Sequence, residues 1–521
     1  MFRRLGVLSA VMLLAALVLI SCAPREAAEP DPATPDTKHG GILRFAFYAP
    51  TNMDPAFLST VADDHVARQW SDFLVFFDEE NKPDPSRSVA ESWEPDETGT
   101  IWTFNLRRGI KFHDGKEMTS RDVKFTFDRL RDPAVGAATV TLYSNIQDIT
   151  APDDYTVVFH LKNPNPDFLK DLFDYHALIM DADNTDFAVN WNGTGPFIIE
   201  SYLPEDRIIF RRNPNYWMSD AEGNQLPYLD GMEFIFMSDS AAQVEALRGG
   251  QVDYLIYLPS EFVPVLEEDP NIDVYRKPSN THYVLRMRSD RAPANDVRVR
   301  QALKAATDRS AILKGAIGGL GVIGQDTPIG PSFGEFYLDL PEPRRDVEKA
   351  RRLLSEAGYA DGLNITLVTQ SSSPVPSIAA IWKEQMAEAG VNVEIQLVPP
   401  DVYYGADNMW LEVDFAITDW GSRPYPQPYL DLAYTTDAPW NESHWSDPEL
   451  DELAAAAAKE MDPAARVQLY HRIQEIFIER GPVIIPFFVD NMWGARTHVR
   501  GLKPTATLGT ALDLRRVYLE Q

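Results

Sequence analysis

The chain has 521 residues, a formal net charge of −30 and a hydrophobic fraction of 44%. Its length corresponds to two or three domains of roughly 100–200 residues, and the hydrophobic fraction supports packed cores, which excludes global disorder. So acidic a surface repels phosphate backbones and anionic lipid headgroups, so nucleic-acid binding and peripheral membrane binding are not expected. A soluble, aggregation-resistant surface is the simpler interpretation of the same charge.

The N-terminus has the pattern of an export signal. Arg3 and Arg4 precede an apolar run, Leu5–Ile20, which is shorter than the roughly 20 residues that a membrane span needs. The run meets Leu19-Ile20-Ser21-Cys22, which resembles the lipobox of bacterial lipoproteins, where the cysteine is acylated and becomes the first residue of the mature chain. We therefore expect a signal peptide over residues 1–21 and a lipid on Cys22.

Residues 22–38 are predicted to tether the lipid to the folded chain. This segment contains four prolines among Ala, Glu, Asp and Thr, so it cannot bury a core and tends to extend. Cys22 is the only cysteine, which excludes intrachain disulfides, thiol nucleophiles and zinc–thiolate sites from the folded part. The expected location is extracytoplasmic, in the periplasm or at the cell surface, with the lipid as the only contact with the membrane.

The first half of the chain mixes strands and helices in an α+β manner. Trp102, Phe104 and Leu106 alternate with polar residues, which indicates a half-buried strand, and Thr119 with Asp122 has the spacing of a helix capping box. The elements predicted here are a strand over 42–47, a strand over 102–106, a helix starting at Thr119, a hairpin over 197–212 and a helix over 240–248.

The second half has a different architecture. Strand patterns over 364–369 and 391–397 flank a helix pattern over 377–389, a crossover of the length that parallel pairing requires. Further helices are predicted to start at Asp346, at Ser446 with Glu449 as its capping box, and at Asp462, and an apolar strand is predicted over 483–489. Such a change argues for a second lobe with its own core.

Motifs for catalysis and cofactors are missing or lie in the wrong context. The nine histidines never recur at the i+2 to i+4 spacing of a local ligand pair, so no metal site is predicted, although a single histidine could help to hold a chelated metal. Gly319–Gly324 fits the dinucleotide pattern Gly-x-Gly-x-x-Gly but follows a helix, so we interpret it as a loop. No nucleophile elbow, zinc-protease motif or phosphate loop is present, and no carboxylate pair stands out among the 78 acidic residues. No cofactor is predicted.

Short blocks distributed along the chain carry a more specific signal. They are Val89–Asp96, Trp102–Arg107, Phe112–Lys116, Thr119–Val123, Gly193–Phe197, Arg212–Trp217 and Asp296–Arg309. In content and order these blocks resemble the family 5 extracellular solute-binding proteins of ABC importers, the oligopeptide, dipeptide and nickel group. The resemblance extends over nearly the whole mature sequence.

The resemblance implies a mixed α/β, two-lobed periplasmic binding protein of the cluster C type, with an inserted domain and a hinge between the lobes. By analogy, the hinge crossings are expected near His282–Arg288 and Ile485–Asp490. The expected domains are lobe I at 39–75, 191–284 and 489–521, the inserted domain at 76–190, and lobe II at 285–488. The implied partners are a small ligand and the permease of an ABC importer, and a monomer is expected.

The best candidate for ligand contact is the segment Asp419–Tyr425, which follows an apolar stretch and should form a loop at a strand end. In peptide-binding relatives, a Trp-x-x-Asp loop here offers a carboxylate to the terminal ammonium of the peptide, whereas this chain has Arg423. A guanidinium repels an ammonium and pairs with a carboxylate or phosphate, which argues against a standard free-amine peptide. Two alternatives stay open: Arg423 faces solvent or pairs with Asp419 or Asp431, and the aromatic residues are ordinary core.

Aromatic residues after the first strand and polar residues near the hinge crossings complete the predicted site. The expected ligand-contact residues are Phe47, Tyr48, Met53, His282, Asp419, Trp420, Gly421, Ser422, Arg423, Tyr425 and Asn491. The favoured function is capture of a small solute, a peptide or peptide-like compound or an anion or oligosaccharide, without chemistry. An extracytoplasmic hydrolase on the same scaffold and a receptor that presents its ligand to a sensor are the alternatives.

Overall fold

The structure is a computed structural model that describes residues 38–405, 408–506 and 512–520. The predicted signal peptide, Cys22 and the tether up to residue 37 lie outside these ranges. The described residues form one compact unit. None of the helices in the described ranges combines the length and apolar character that a bilayer-spanning helix requires.

Strands dominate the centre of this unit and helices flank them. The strands are β1 (Ile42–Phe47), β2 (Ala90–Pro95), β3 (Ile101–Leu106), β4 (Ile146–Asp153), β5 (Thr156–Leu161), β6 (Phe197–Leu203), β7 (Arg207–Arg212), β8 (Gly231–Phe236), β9 (Tyr254–Leu255), β10 (Ile272–Met287), β11 (Gly321–Ile323), β12 (Leu363–Gln370), β13 (Val391–Val398), β14 (Phe415–Trp420), β15 (Val483–Ile484), β16 (Phe487–Arg496), β17 (Val499–Arg500) and β18 (Tyr518–Leu519). The α-helices are α1 (Val61–Trp70), α2 (Ser120–Arg131), α3 (Phe168–Asp171), α4 (Ser240–Arg248), α5 (Val263–Glu267), α6 (Val297–Ala306), α7 (Arg309–Ile317), α8 (Val347–Glu356), α9 (Val375–Glu388), α10 (Pro400–Tyr403), α11 (Met409–Glu412), α12 (Gln427–Tyr429), α13 (Pro448–Ala457) and α14 (Pro463–Arg480).

One 12-stranded sheet runs through the described chain in the order β13-β12-β14-β10-β16-β9-β1-β8-β7-β6, with β11 paired to β16 and β15 paired to β10. Strand β1 is parallel to β8 and β9 at one end, and β12 is parallel to β13 and β14 at the other. A separate four-stranded antiparallel sheet has the order β2-β3-β5-β4. Parallel strands place their carboxyl ends at one edge, which is where ligands bind in open α/β sheets.

Strand β10 is the link between the two ends of the large sheet. Its first half pairs with the second half of β16, and its residues His282–Met287 pair with β14. The register with β16 is irregular between Pro278 and His282. The crossing expected near His282–Arg288 therefore corresponds to a strand that is interrupted just before that segment.

The apolar residues pack into separate cores. One core fills the space beneath the small sheet around Phe104, Phe127 and Phe159, and residues 56–77 also contribute to it. A second core lies around β1 and β8, and two more lie on opposite faces of β14, around Trp382 on one side and Tyr434 and Phe477 on the other. Distinct cores agree with a two-lobed chain, and the domain boundaries given above stay a prediction.

Most of the predicted elements are confirmed. Thr119 and Asp122 form the capping box of α2, β6 and β7 form the hairpin, and α4 has the expected bounds. Strands β12 and β13 pair in parallel along their whole length, with Leu363 opposite Val391 and Gln370 opposite Val398.

Three local predictions are wrong for identifiable reasons. Helix α13 is capped by the Asp447 carboxylate, which accepts from the Leu450 N–H at 3.2 Å, whereas the Ser446 hydroxyl is bonded to Thr436. The strand over 483–489 is broken before Phe487 because Pro486 has no N–H to donate to a ladder. Gly321–Ile323 is a strand rather than a loop.

The glycines of Gly319–Gly324 serve this strand pairing. A Cβ on Gly321 would lie 2.2 Å from the Phe488 carbonyl oxygen, and one on Gly324 would lie 2.1 Å from that of Ile485. Only glycine permits so close an approach of two backbones. Close backbone packing therefore explains these glycines without a bound nucleotide.

Candidate ligand site at the lobe junction

The predicted ligand loop begins at the carboxyl end of β14. Trp420 lies opposite His282 in the antiparallel pair of β14 and β10, and Asp419 lies opposite Tyr283. Because successive strand residues point to opposite faces, Trp420 turns into a core while Asp419 remains exposed.

Trp420 packs as a core residue in this structure. Its side chain is 4% exposed, and its indole N–H donates to the Glu442 carboxylate at 3.1 Å. The rings of Tyr429 and Tyr434 lie 6.0 and 6.5 Å from it, measured between centroids. Trp420 thus anchors the start of the loop in this core.

His282 has the same buried character. The ring lies between Tyr429 and Phe488, with 5.3 Å between centroids in both cases, and its Nδ1 is 2.8 Å from the Asn280 carbonyl oxygen. Burial lowers the pKa of His282 to about 4. The imidazole is enclosed, and its Nε2 has no hydrogen-bond partner among the described residues, so its contact with a solute stays a prediction.

Arg423 has a different environment. Its backbone N–H donates to the Tyr429 hydroxyl at 3.2 Å, and its side-chain Nε is buried without a hydrogen-bond partner. Within the described ranges no carboxylate forms an ion pair with Arg423: Asp419 accepts a hydrogen bond from Tyr404, and Asp431 accepts one from Gln427. A guanidinium in this state has unused capacity to bind an anion.

The tip of the loop contacts the segment that carries the small sheet. The Tyr425 hydroxyl donates to the Asp171 carboxylate at 2.5 Å, and the Asn81 side-chain amide donates to the Pro424 carbonyl oxygen at 2.9 Å. Tyr175 of the same segment lies near Arg423, whose charge opposes the rise that burial causes in the pKa of Tyr175. Arg423 therefore lies between the end of β14 and this segment.

The remaining loop residues use their polar groups in contacts within the protein. The Ser422 N–H donates to the Thr281 hydroxyl at 3.3 Å, and the Tyr429 hydroxyl donates to the Gly421 carbonyl oxygen at 2.8 Å. The Ser422 hydroxyl and the Asn491 amide both donate to the Ala506 carbonyl oxygen, at 3.3 and 3.0 Å. These residues fix the loop against the chain crossings.

Of the three contacts predicted around the end of β1, only Tyr48 is accessible. Phe47 and Met53 are 3% and 6% exposed and belong to the core around β1, whereas Tyr48 is 38% exposed. The Tyr48 ring stacks on Phe47 with 3.9 Å between centroids. A fixed aromatic face is thereby presented at the end of β1.

Three further tyrosines, which the sequence analysis did not select, lie at the same edge. Tyr257 and Tyr404 are 49% and 39% exposed, and Tyr283 is partly buried. Burial nevertheless raises the pKa of Tyr257. Tyr257 follows the end of the parallel strand β9, as Tyr48 follows β1, and that position is the signal that could have identified it, whereas Tyr404 follows the short helix α10.

Residues 84–441 match the family model of the bacterial extracellular solute-binding proteins, family 5. The chain belongs to this family. The fold expected from the sequence blocks, a mixed α/β periplasmic binding protein, is thereby confirmed.

Three relatives of this family 5 protein illustrate the range of similarity. The glutathione-binding protein GsiB of Escherichia coli strain K12 is 26% identical over 477 residues, which cover 86% of this chain and 88% of GsiB. The structure of the ABC transporter-associated periplasmic binding protein DppA of Helicobacter pylori, in complex with the peptide STSA, is 25% identical with a TM-score of 0.74, and the match covers 93% of this chain and 99% of DppA. The binding protein AgaA of A. tumefaciens R10, in complex with agropinic acid, is 25% identical with a TM-score of 0.73, and the match covers 92% and 99%.

The candidate site of this family 5 protein offers groups for binding. They are the Arg423 guanidinium, which forms no ion pair among the described residues, the rings of Tyr48, Tyr257, Tyr283 and Tyr404, and the Asp419 carboxylate. Among the described residues, no group of three histidine, cysteine, aspartate or glutamate side chains is placed to hold a metal ion. What the arrangement offers chemically is charge complementarity and aromatic surface.

Proposed function

We propose that this family 5 protein captures a small anionic solute at the junction of its lobes and delivers it, unchanged, to the permease of an ABC importer. The observation that carries this proposal is Arg423, whose Nε is buried and unpaired and whose guanidinium has no ion-pair partner among the described residues. A buried donor without a partner costs free energy that a bound carboxylate recovers.

The geometry of the guanidinium favours a carboxylate or phosphate as the partner. Such groups accept two parallel hydrogen bonds from arginine, and charge-assisted bonds are about twice as strong as neutral ones. The three relatives bind glutathione, a peptide and agropinic acid, and each of these ligands carries a carboxylate group. Their shared chemistry supports an anionic solute for this chain.

Delivery requires that the solute favour the closed arrangement of the lobes, because a ligand with equal affinity for two states shifts neither. Arg423 fits this requirement, because it lies in the predicted lobe II and is close to Tyr175 of the predicted inserted domain. A solute held by Arg423 contacts both sides when the lobes are close.

Thermal unfolding of the mature chain carrying Cys22→Ser, with and without a ligand panel, tests the proposal. The panel comprises di- to pentapeptides, N-blocked peptides, dicarboxylates, oligosaccharides and nickel chelates. A ligand at about 100 times its Kd adds roughly 2.7 kcal/mol of stability. We expect anionic and N-blocked ligands to raise the midpoint and Arg423→Ala to abolish the rise.

Arg352→Ala is the matched control, because Arg352 lies on the exposed surface of α8 with its side chain 65% exposed. It should leave every ligand-induced shift unchanged. A free-amine peptide that stabilises wild type and Arg423→Ala equally would contradict the anionic assignment. Recovery of the ligand as cleaved products would favour the hydrolase instead.

Membrane attachment through a lipid on Cys22 is part of the same proposal and rests on the lipobox sequence. In cells, Cys22→Ser should release the protein from the membrane fraction and abolish incorporation of labelled fatty acid. Retention of Cys22→Ser in the membrane fraction would refute the anchor and leave the solute-binding proposal intact.

A further inference from the structure

A cavity of about 490 Å³ lies between helices α6, α8 and α14 and shares no lining residue with the candidate ligand site described above. Residues of α6 and α14 form two of its walls, and the segment 340–346, which leads into α8, forms a third. Pro341 and Pro343 stiffen this segment, because the proline ring fixes φ. A cavity of this size accommodates a small organic molecule.

Hydrogen bonds at both ends hold the segment 340–346 in place. The Gln325 side-chain amide donates to the Leu340 carbonyl oxygen at 2.6 Å. At the other end, the Asp346 N–H donates to the Ala305 carbonyl oxygen of α6 at 2.7 Å. The cavity is therefore formed before a ligand binds, so binding costs little ordering of the chain.

Lys304 is a buried cation in the wall of this cavity. It is 8% exposed, forms no ion pair with a carboxylate of the described residues, and donates one hydrogen bond, to the Phe477 carbonyl oxygen at 2.5 Å. Burial lowers the pKa of Lys304 to about 8, against the attraction of Asp326. The guanidinium groups of Arg309 and Arg300 lower it further by repulsion. An ammonium in this state has unused donors and is stabilised by a nearby anion.

The carboxylates that line the cavity are engaged elsewhere. Asp326 accepts two hydrogen bonds from the Arg309 guanidinium, at 2.6 and 3.1 Å. Glu479 pairs with two arginines of α14, at 3.2 and 3.3 Å. Asp346 caps the first turn of α8 with a bond of 2.8 Å. None of them neutralises Lys304.

Two exposed cations also line the cavity. Arg344 and Lys349 form no ion pair with a carboxylate in the described part of the chain. Together with Lys304 they give the cavity three positive groups without counter-charges. An anion bound among them makes charge-assisted hydrogen bonds, which are about twice as strong as neutral ones.

Gln325 adds a hydrogen-bond acceptor to these cations. It is 4% exposed, and its side-chain oxygen is buried without a partner among the described residues. Because its amide group is bonded to Leu340, the oxygen cannot be exchanged for a donor without loss of that bond. A ligand that donates to this oxygen removes the free-energy cost of an unpaired buried acceptor.

We propose that this cavity is a second binding site, which takes a small phosphate or carboxylate compound. Its anionic group lies among Lys304, Arg344 and Lys349, and its hydroxyl or amino group donates to Gln325. The inference does not rest on the proposed function, because Arg423 takes no part in it. All lining residues lie within 301–479, in the predicted lobe II, so we expect binding to be independent of the angle between the lobes.

Isothermal titration of the mature Cys22→Ser chain that also carries Arg423→Ala separates this site from the proposed solute site. The probes are propyl phosphate with glycerol 3-phosphate, and propionate with lactate, two pairs that differ in hydroxyl groups. At least one probe should bind with a stoichiometry of one, and the hydroxylated member of its pair should bind about fivefold more tightly. Gln325→Met should remove the difference within the pair.

Lys304→Met should weaken binding at least about tenfold, because it removes a hydrogen bond from a charged group. Arg344→Ala and Lys349→Ala together change only exposed side chains, which protects the fold, and should weaken binding about fivefold. Lys459→Met, an exposed change just after α13, is the matched control and should alter no affinity.

Binding that is unchanged in Lys304→Met, or in the variant that lacks both Arg344 and Lys349, would place the anion elsewhere and overturn the inference. Failure of all four probes to bind in the Arg423→Ala background would also overturn it. That failure would leave the proposed function standing, since the proposed function is measured with Arg423 present.

Discussion

Replacing Asp167 by asparagine should destabilise the protein strongly, because it leaves a buried guanidinium without its counter-charge. Asp167 and Arg466 are both 4% exposed and join the segment of the small sheet to α14. The Arg466 guanidinium makes two bonds to the carboxylate, one of them 3.1 Å long, and also donates to the Ala457 carbonyl oxygen at 2.9 Å. Lys170 lies 3.6 Å from the same carboxylate.

The single changes Asp167→Asn and Arg466→Met should lower the free energy of unfolding by different amounts. Removing one partner of a buried ion pair costs about 3–5 kcal/mol, and Asp167→Asn should reach that range because both Arg466 and Lys170 lose their anion. Arg466→Met should cost less, since Lys170 remains to neutralise Asp167. The double variant should lose less than the sum of the singles, because it leaves no uncompensated buried arginine.

Urea unfolding at pH 7, followed by tryptophan fluorescence and extrapolated linearly, measures these free energies. Asp183→Asn is the control: Asp183 is 55% exposed and pairs with Arg121 and Lys116, which are 61% and 32% exposed, and such surface pairs contribute about 1 kcal/mol or less each. Additive losses in the double variant, or an Asp167→Asn effect no larger than that of Asp183→Asn, would refute the assignment of a coupled buried pair.

Further predictions concern backbone packing and pH. Gly195→Ala should lower the free energy of unfolding in urea by at least about 2 kcal/mol, because the added Cβ would lie 2.5 Å from the Trp70 carbonyl carbon. Gly421→Ala should be tolerated, because a Cβ there meets nothing within 4 Å. An equal loss of stability in the two variants would contradict this prediction. Burial raises the pKa of Asp171 to about 7 in the folded state. Between about pH 4 and pH 7 the folded state therefore binds more protons than the unfolded state. The free energy of unfolding should fall by up to about 4 kcal/mol as the pH rises over this range. Asp171→Asn should flatten that slope, and an unchanged slope would contradict the assignment. NMR titration should find His282 uncharged at about pH 5.5, since burial lowers its pKa to about 4, and a pKa near 6.5 would contradict its burial.

Local elements could be predicted because their signals are local. The capping box of Thr119 and Asp122 and the alternation of Trp102, Phe104 and Leu106 depend on residues only a few positions apart, and both were confirmed. The prediction that Ser446 caps α13 was wrong because Ser446 and Asp447 are neighbours and either can cap a helix. The backbone places Asp447, the residue next to Pro448, at the cap position.

The site could be predicted only in part, because its faces depend on strand partners. Phe415–Trp420 is buried on both sides, so its composition does not show that Trp420 faces a core and that Asp419 alone is exposed. Tyr48, Tyr257 and Tyr283 are distant in sequence and come together only through the order β14-β10-β16-β9-β1. Sequence periodicity carries no information on that order.

The interruption of β10 couples the ligand loop to the lobe junction. Pro278 has no N–H for the ladder, and the Ser279 hydroxyl donates instead to the Val489 carbonyl oxygen at 2.7 Å. The next residues contact the loop directly: Thr281 accepts from the Ser422 N–H, and the Tyr429 hydroxyl, which holds the Arg423 backbone, lies 3.0 Å from the Asn280 carbonyl oxygen. We therefore expect a change in the angle of β10 at this point to move Arg423 with it, and a solute that binds Arg423, as proposed above, to restrain the angle between the lobes in return.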